Sequence, residues 1–151
     1  MYEAGRGGVA RDDVLAAQWY RKAAQQGYSL AQNSLALMYM QGRGGIAQDE
    51  KQAAIWFRKA ANQGHAFAQV MLGGMYQEGR GGMTQDDVQA VKWFRKAAEK
   101  GNSLGQYALG VMYRDGGRGV SVDKNQAKRW FKRAASQGDA EAQAALAGFE
   151  K

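Results

Sequence analysis

An all-α solenoid of stacked helical hairpins is the fold this sequence predicts, and three observations predict it. The first is a fixed interval: Trp19, Trp56, Trp93 and Trp130 stand 37 residues apart. The second is register. Tyr2, Tyr39, Tyr76 and Tyr113 keep that interval, as do Gly27, Gly64, Gly101 and Gly138, then Gln32, Gln69, Gln106 and Gln143, then Asp12, Asp49, Asp86 and Asp123. Five residue types in one register exclude coincidence, and a period of this length marks a repeat array. The third is that each period decodes into two amphipathic helices, neither able to bury its apolar face alone. Stacked neighbours bury it jointly, so the core runs along the molecule's length.

The second helix of each unit is the clearer. Residues 49–64 read DEKQAAIWFRKAANQG. Asp49 suits an N-cap, because its carboxylate accepts the free amides of the first turn. Gln52 follows three residues later and predicts a capping box, repeated at Gln89 and Gln126 and broken by Leu15 in the first unit. Ala53, Trp56, Phe57, Ala60 and Ala61 fall at helical spacing and form one buried face. Gly64 ends the helix, since glycine takes the left-handed conformation of a C-terminal cap at no steric cost. Second helices are expected near 12–26, 49–63, 86–100 and 123–137.

First helices are expected near 30–41, 67–78, 104–115 and 140–149. Ala68, Leu72, Met75 and Tyr76 share one side, with counterparts Ala31, Leu35, Met38, Tyr39 and Gly105, Leu109, Met112, Tyr113. Ala36, Gly73, Gly110 and Ala147 form a column of small residues where helix axes can approach closely. The loops GRGGV, GRGGI, GRGGM and GGRGV join first helix to second, their glycines allowing tight turns with positive φ. The chain reads as one repeat domain over 1–151, with full units near 30–66, 67–103 and 104–140 and incomplete units near 1–29 and 141–151.

Composition narrows the function classes. With no cysteine there is neither a disulfide framework nor a thiolate metal site, and the redox compartment is unmarked. No apolar run approaches the length of a membrane-spanning helix, and no signal peptide is legible. His65 is the lone histidine and has no clustered ligands, so neither metal nor general base is expected there. The methionines Met38, Met75 and Met112 read as core. Residues 121–124 spell SxxK, a motif of acyl-serine enzymes, but in a loop and without SDN or KTG partners. No phosphate-binding loop is present. No catalytic residue, cofactor or metal is therefore expected.

The formal net charge of +7 admits an acidic partner. Arg21–Lys22, Arg58–Lys59, Arg95–Lys96 and Lys132–Arg133 form a basic stripe. Evenly spaced cations could neutralise phosphates. The stronger reading is a solvated ridge whose stems cover apolar surface.

The pattern AQxxLxxMYxxGRGGxxxDxxxAxxWFRKAAxxG resembles the Sel1-like repeat, a relative of the tetratricopeptide repeat. One unit carries it through Ala68, Gln69, Leu72, Gly73, Met75, Tyr76, Gly79, Gly81, Asp86, Ala90, Trp93, Phe94, Lys96, Ala97, Ala98 and Gly101. The resemblance extends over essentially the whole chain, with one extra glycine per loop as its departure. It implies a right-handed superhelix with first helices lining the concave face, and a role as adaptor or scaffold in signalling, protein quality control or bacterium–host contact.

On the tetratricopeptide pattern, Asn33, Leu37, Met40 and Gln41 face inward in one unit. Val70, Gly74, Gln77 and Glu78 follow in the next, then Tyr107, Val111, Arg114 and Asp115. Such a mixed groove suits an extended or helical peptide, with Tyr107 and Arg114 the leading anchors. The expected partner is a protein or peptide. Nucleic-acid or anionic-surface binding through the basic ridge is the alternative, and a hydrolase acting on cell-wall or lactam-like substrates the weakest. Tyr2 stands where a first helix ends and 140–149 is a first helix without its second. Such ends read first as those of a fragment from a longer protein or as fraying termini, and second as surfaces for head-to-tail self-association.

Overall fold

The computed structural model describes residues 2–149, with side chains from Asp12 to Phe149. Within them lie eight α-helices: α1 (Tyr2–Gln25), α2 (Ser29–Gln41), α3 (Glu50–Asn62), α4 (Ala66–Glu78), α5 (Asp87–Glu99), α6 (Ser103–Asp115), α7 (Lys124–Ser136) and α8 (Ala140–Phe149). From α2 onward, even-numbered helices are the first helices of the units and odd-numbered ones the second. Each packs on its chain neighbours, so the molecule is an all-α solenoid. Among helices of one kind, α4 and α6 also touch each other.

Each seam is a large ring pressed onto a small residue. Phe57 and Phe131 are fully buried and Phe94 nearly so. A Cβ added at Gly73 would stand 2.7 Å from the Phe94 ring, and one at Gly110 equally close to Phe131. The small-residue column is thus the socket for the phenylalanine column, and Leu35, Leu72 and Leu109 close the seam at zero exposure.

Caps and loops set the hairpin geometry. Asp49, Asp86 and Asp123 accept the amides of Gln52, Gln89 and Gln126. The reciprocal half of the expected capping box does not form. The Asp49, Asp86 and Asp123 amides instead donate to the carbonyls of Tyr39, Tyr76 and Tyr113, which zips each loop shut. Two loop glycines are needed for close approach. A Cβ at Gly44 would lie 2.7 Å from the Asp13 carbonyl oxygen, and one at Gly81 would lie 2.8 Å from the Ala54 methyl.

Three expectations are corrected. The GRGGV segment at 5–9 is not a turn but part of α1. In the next two units the loop closes on the preceding second helix; the side chains of Tyr2 and Arg6 lie outside the described set. Asp12 is accordingly interior to α1 and not an N-cap. The tryptophans are not uniformly core either. Trp130 is 8% exposed, Trp56 and Trp93 are half-buried, and Trp19 is 70% exposed. Trp56 packs against the buried cluster that contains Leu35 and Met38 of the helix before it.

Candidate functional site

The first helices carry the residues expected to face a partner. Between α2, α4 and α6 lies a cleft of about 310 Å³. Met40, Val70, Gly74, Glu78 and Tyr107 line it, so five of the inward-facing positions converge there. Met75 and Phe94 of the core line it too, and Met71, Leu104, Ala108 and Arg80 complete its wall. Sequence reasoning passed over these four, although Leu104, at 46% exposure, is a large apolar side chain that packing leaves uncovered. A second cleft, about 380 Å³, is lined by Arg114, Lys124, Ala144, Ala145, Gly148 and Phe149.

The remaining positions divide by burial. Asn33 is 6% exposed, and its Oδ1 has no partner. Leu37 is half-buried against the Phe57 seam. Val111 packs with Tyr107 around Phe131. Gln77 donates to the Met112 sulfur at 3.2 Å. Gln41 and Asp115 are exposed.

Tyr107 and Arg114 are both braced by Phe131. The Tyr107 and Phe131 ring centroids are 5.7 Å apart, and the Arg114 guanidinium lies 5.8 Å from the Phe131 centroid. Arg114 also grips Asp115 through two bonds of 2.8 and 3.0 Å. That ion pair holds the Asp115 carboxyl below its ordinary range. At the first cleft, Arg80 binds Glu78 at 3.2 Å and pairs with Glu50, whose pKa it lowers. Pre-placed side chains of this kind lose little freedom when a partner binds.

A model of the Sel1 repeat matches four consecutive segments, residues 1–28, 29–65, 66–102 and 103–139. The chain belongs to the Sel1-repeat family. Among solved structures it is similar to c5321, a protective antigen of uropathogenic Escherichia coli with a Sel1-like repeat fold. Identity is 43% and the TM-score 0.86, over 98% of this chain and 32% of that one. It is similar also to a Sel1 repeat protein from Oxalobacter formigenes, at 40% identity and TM-score 0.83, over 89% of this chain and 53% of that one. Helicobacter pylori cysteine-rich protein B, at 23% identity and TM-score 0.66 over 87% of this chain and 92% of that one, shares the fold. The chain spans about a third of the first of these and half of the second. No curated protein matches it.

Sel1-repeat proteins generally mediate protein–protein interactions and act as scaffolds, not enzymes. No helix among the described residues of this Sel1 array is long and apolar enough to cross a membrane. The basic stripe of its second helices is largely engaged within the array. Lys59, Lys96 and Arg133 sit 4.4, 4.5 and 4.8 Å from the ring centroids of Trp56, Trp93 and Trp130. Arg58 and Arg95 donate to the hydroxyls of Tyr76 and Tyr113 in the following first helix. These side chains cover the aromatic columns and tie one hairpin to the next.

Proposed function

We propose that this Sel1 array is a scaffold that holds a peptide or protein partner along its inner face, without a cofactor. The observation that carries the reading is the convergence of Met40, Val70, Gly74, Glu78 and Tyr107 on one cleft. It joins flexible apolar side chains, a tyrosine and a fixed ion pair, the mixture that serves peptide recognition. Arg114 and Tyr107, braced on Phe131, extend the surface toward α8.

The test is selection of binding peptides from a displayed random library, followed by affinity measurement on the wild type and on Tyr107→Ala/Arg114→Ala. Tyr107 packs on a buried ring, so helicity is checked by circular dichroism, and Arg114→Ala alone serves if the pair unfolds. Inner-face binding predicts loss of affinity in the variant and a shallow dependence on salt. Undiminished binding would contradict it. A steep fall with added salt would instead favour the basic ridge as an anionic-surface site. Self-association belongs to the same scaffold reading, with exposed Trp19 as its apolar contact. A sedimentation coefficient constant with concentration would dismiss it.

A further inference from the structure

Gly74 is a residue that folding does not require. It lies inside α4 with ordinary helical backbone, where glycine is about 1 kcal/mol worse than alanine. A Cβ placed on it would meet nothing within 4 Å. Its neighbour Gly73 is the opposite case, since a Cβ there would strike the Phe94 ring. Packing explains the first glycine of the pair and not the second. What Gly74 does is leave an open floor under the cleft walled by Met40, Val70, Met71, Leu104 and Tyr107. Two units further on, Gly148 repeats the arrangement. A Cβ there also meets nothing, and the residue lines the second cleft with Ala144, Ala145 and Phe149.

The rims of the two clefts differ in charge. Beside Gly74, the single guanidinium of Arg80 is shared by two carboxylates, Glu50 and Glu78, which leaves one negative charge in excess. Beside Gly148, Arg114 is matched by Asp115, and Lys124 has no carboxylate partner among the described residues. The inner face thus runs from an acidic rim to a basic one across an apolar dent.

We propose that the Gly74 cleft receives one bulky apolar side chain, aromatic, leucine or methionine, from a protein segment lying along the inner face. A cationic group of that segment lies toward Glu78 and an anionic group toward Lys124. The size agrees: a cavity of about 150 Å³ holds a benzene ring, and this cleft offers about 310 Å³. The proposal rests on the inner-face reading above and adds the anchor that reading leaves unspecified.

The experiment uses peptides selected from a displayed random library against the wild-type chain. Their affinities are compared on Gly74→Leu, which fills the cleft, and on Tyr107→Ala/Arg114→Ala. Gly74→Met replaces the leucine variant if that one loses helicity. The expected result has three parts. The peptides share a bulky apolar residue with a basic group on one side and an acidic group on the other. They bind Gly74→Leu at least about tenfold more weakly. The variant itself unfolds no more easily than the wild type. Peptides that bind Gly74→Leu as tightly as the wild type but fail on the double variant overturn the Gly74 anchor and spare the inner-face reading. Peptides indifferent to both, or a library that yields none, overturn both.

Discussion

Lys100 stands in the register of Gln26, Gln63 and Gln137. Gln63 donates to the Gly27 carbonyl and to Gln32 Oε1, each at 2.8 Å, and Gln137 does the same to Gly101 and Gln106 at 2.9 Å. Lys100 makes only the carbonyl contact, to Gly64, and Gln69 Oε1 is left buried without a partner. An unpaired buried acceptor costs about 1–3 kcal/mol. Lys100→Gln is therefore expected to raise stability by about 1 kcal/mol in urea titration; a loss would refute the ladder. The same lysine acts on His65, whose Nδ1 caps α4 by accepting the Ala68 amide at 3.2 Å. Burial first, and the Lys100 charge second, push the His65 pKa below its usual 6.5. The fold thus prefers neutral imidazole. Its contribution is complete above the unfolded value and is lost as pH falls through 6.5 toward the lower folded value. His65→Asn should keep the cap and flatten that acid-side slope in a series of thermal midpoints; an unchanged slope would assign it to other groups. None of this was legible beforehand. The cap column reads Tyr28, His65, Asn102, Asp139, and no shared residue type announces it.

At the scale of elements, helices from α2 onward were readable to within a residue or so, because caps, apolar spacing and terminal glycines agree. The loops were less so. GRGG at 42–45 and 79–82 becomes GGRG at 116–119, a transposition that looks trivial on paper. In the structure, Arg43 and Arg80 reach back to Asp13 and Glu50 through their guanidinium groups. In the third loop, the Arg118 backbone amide donates to Asp87 at 2.8 Å, and Asp87 is 7% exposed. The exposed Asp13 pair is worth less than about 1 kcal/mol, whereas losing a buried carboxylate that receives a backbone amide costs about 1–3 kcal/mol. Asp87→Ala should therefore destabilise more than Asp13→Ala in denaturant titrations, and equal effects would show the two loops to be equivalent. The adjacent glycines of α4 provide a sharper contrast. Gly73→Ala is expected to destabilise by about 1–3 kcal/mol through overpacking on Phe94. Gly74→Ala is expected to stabilise by about 1 kcal/mol through helix propensity. Thermal melts of the two variants moving in the same direction would contradict this seam geometry.

Over the whole molecule, two sets of columns divide the work. Positions that repeat identically hold the array together: phenylalanine on small residue within a hairpin, glutamine on the carbonyl eight residues before it between hairpins, and cation on tryptophan along one helix. Positions that vary, such as Asn33, Val70 and Tyr107, are where a partner could be distinguished. The periodicity made the first set visible at once. The second was only partly visible, because a register places a residue on a face but does not say what it touches there. Asn33 proved buried, Arg114 already paired, and Met71 and Leu104 exposed to the cleft. The methionines offer the most direct measurement of where a partner sits. Met40 and Met71 line the inner cleft, and Met83 lines a separate cleft on the second-helix side with Ile55 and Arg58. With methyl-labelled methionine, titration of a selected peptide should shift the Met40 and Met71 resonances and leave Met83 in place. Movement of Met83 alone would put the partner on the opposite face and contradict the account.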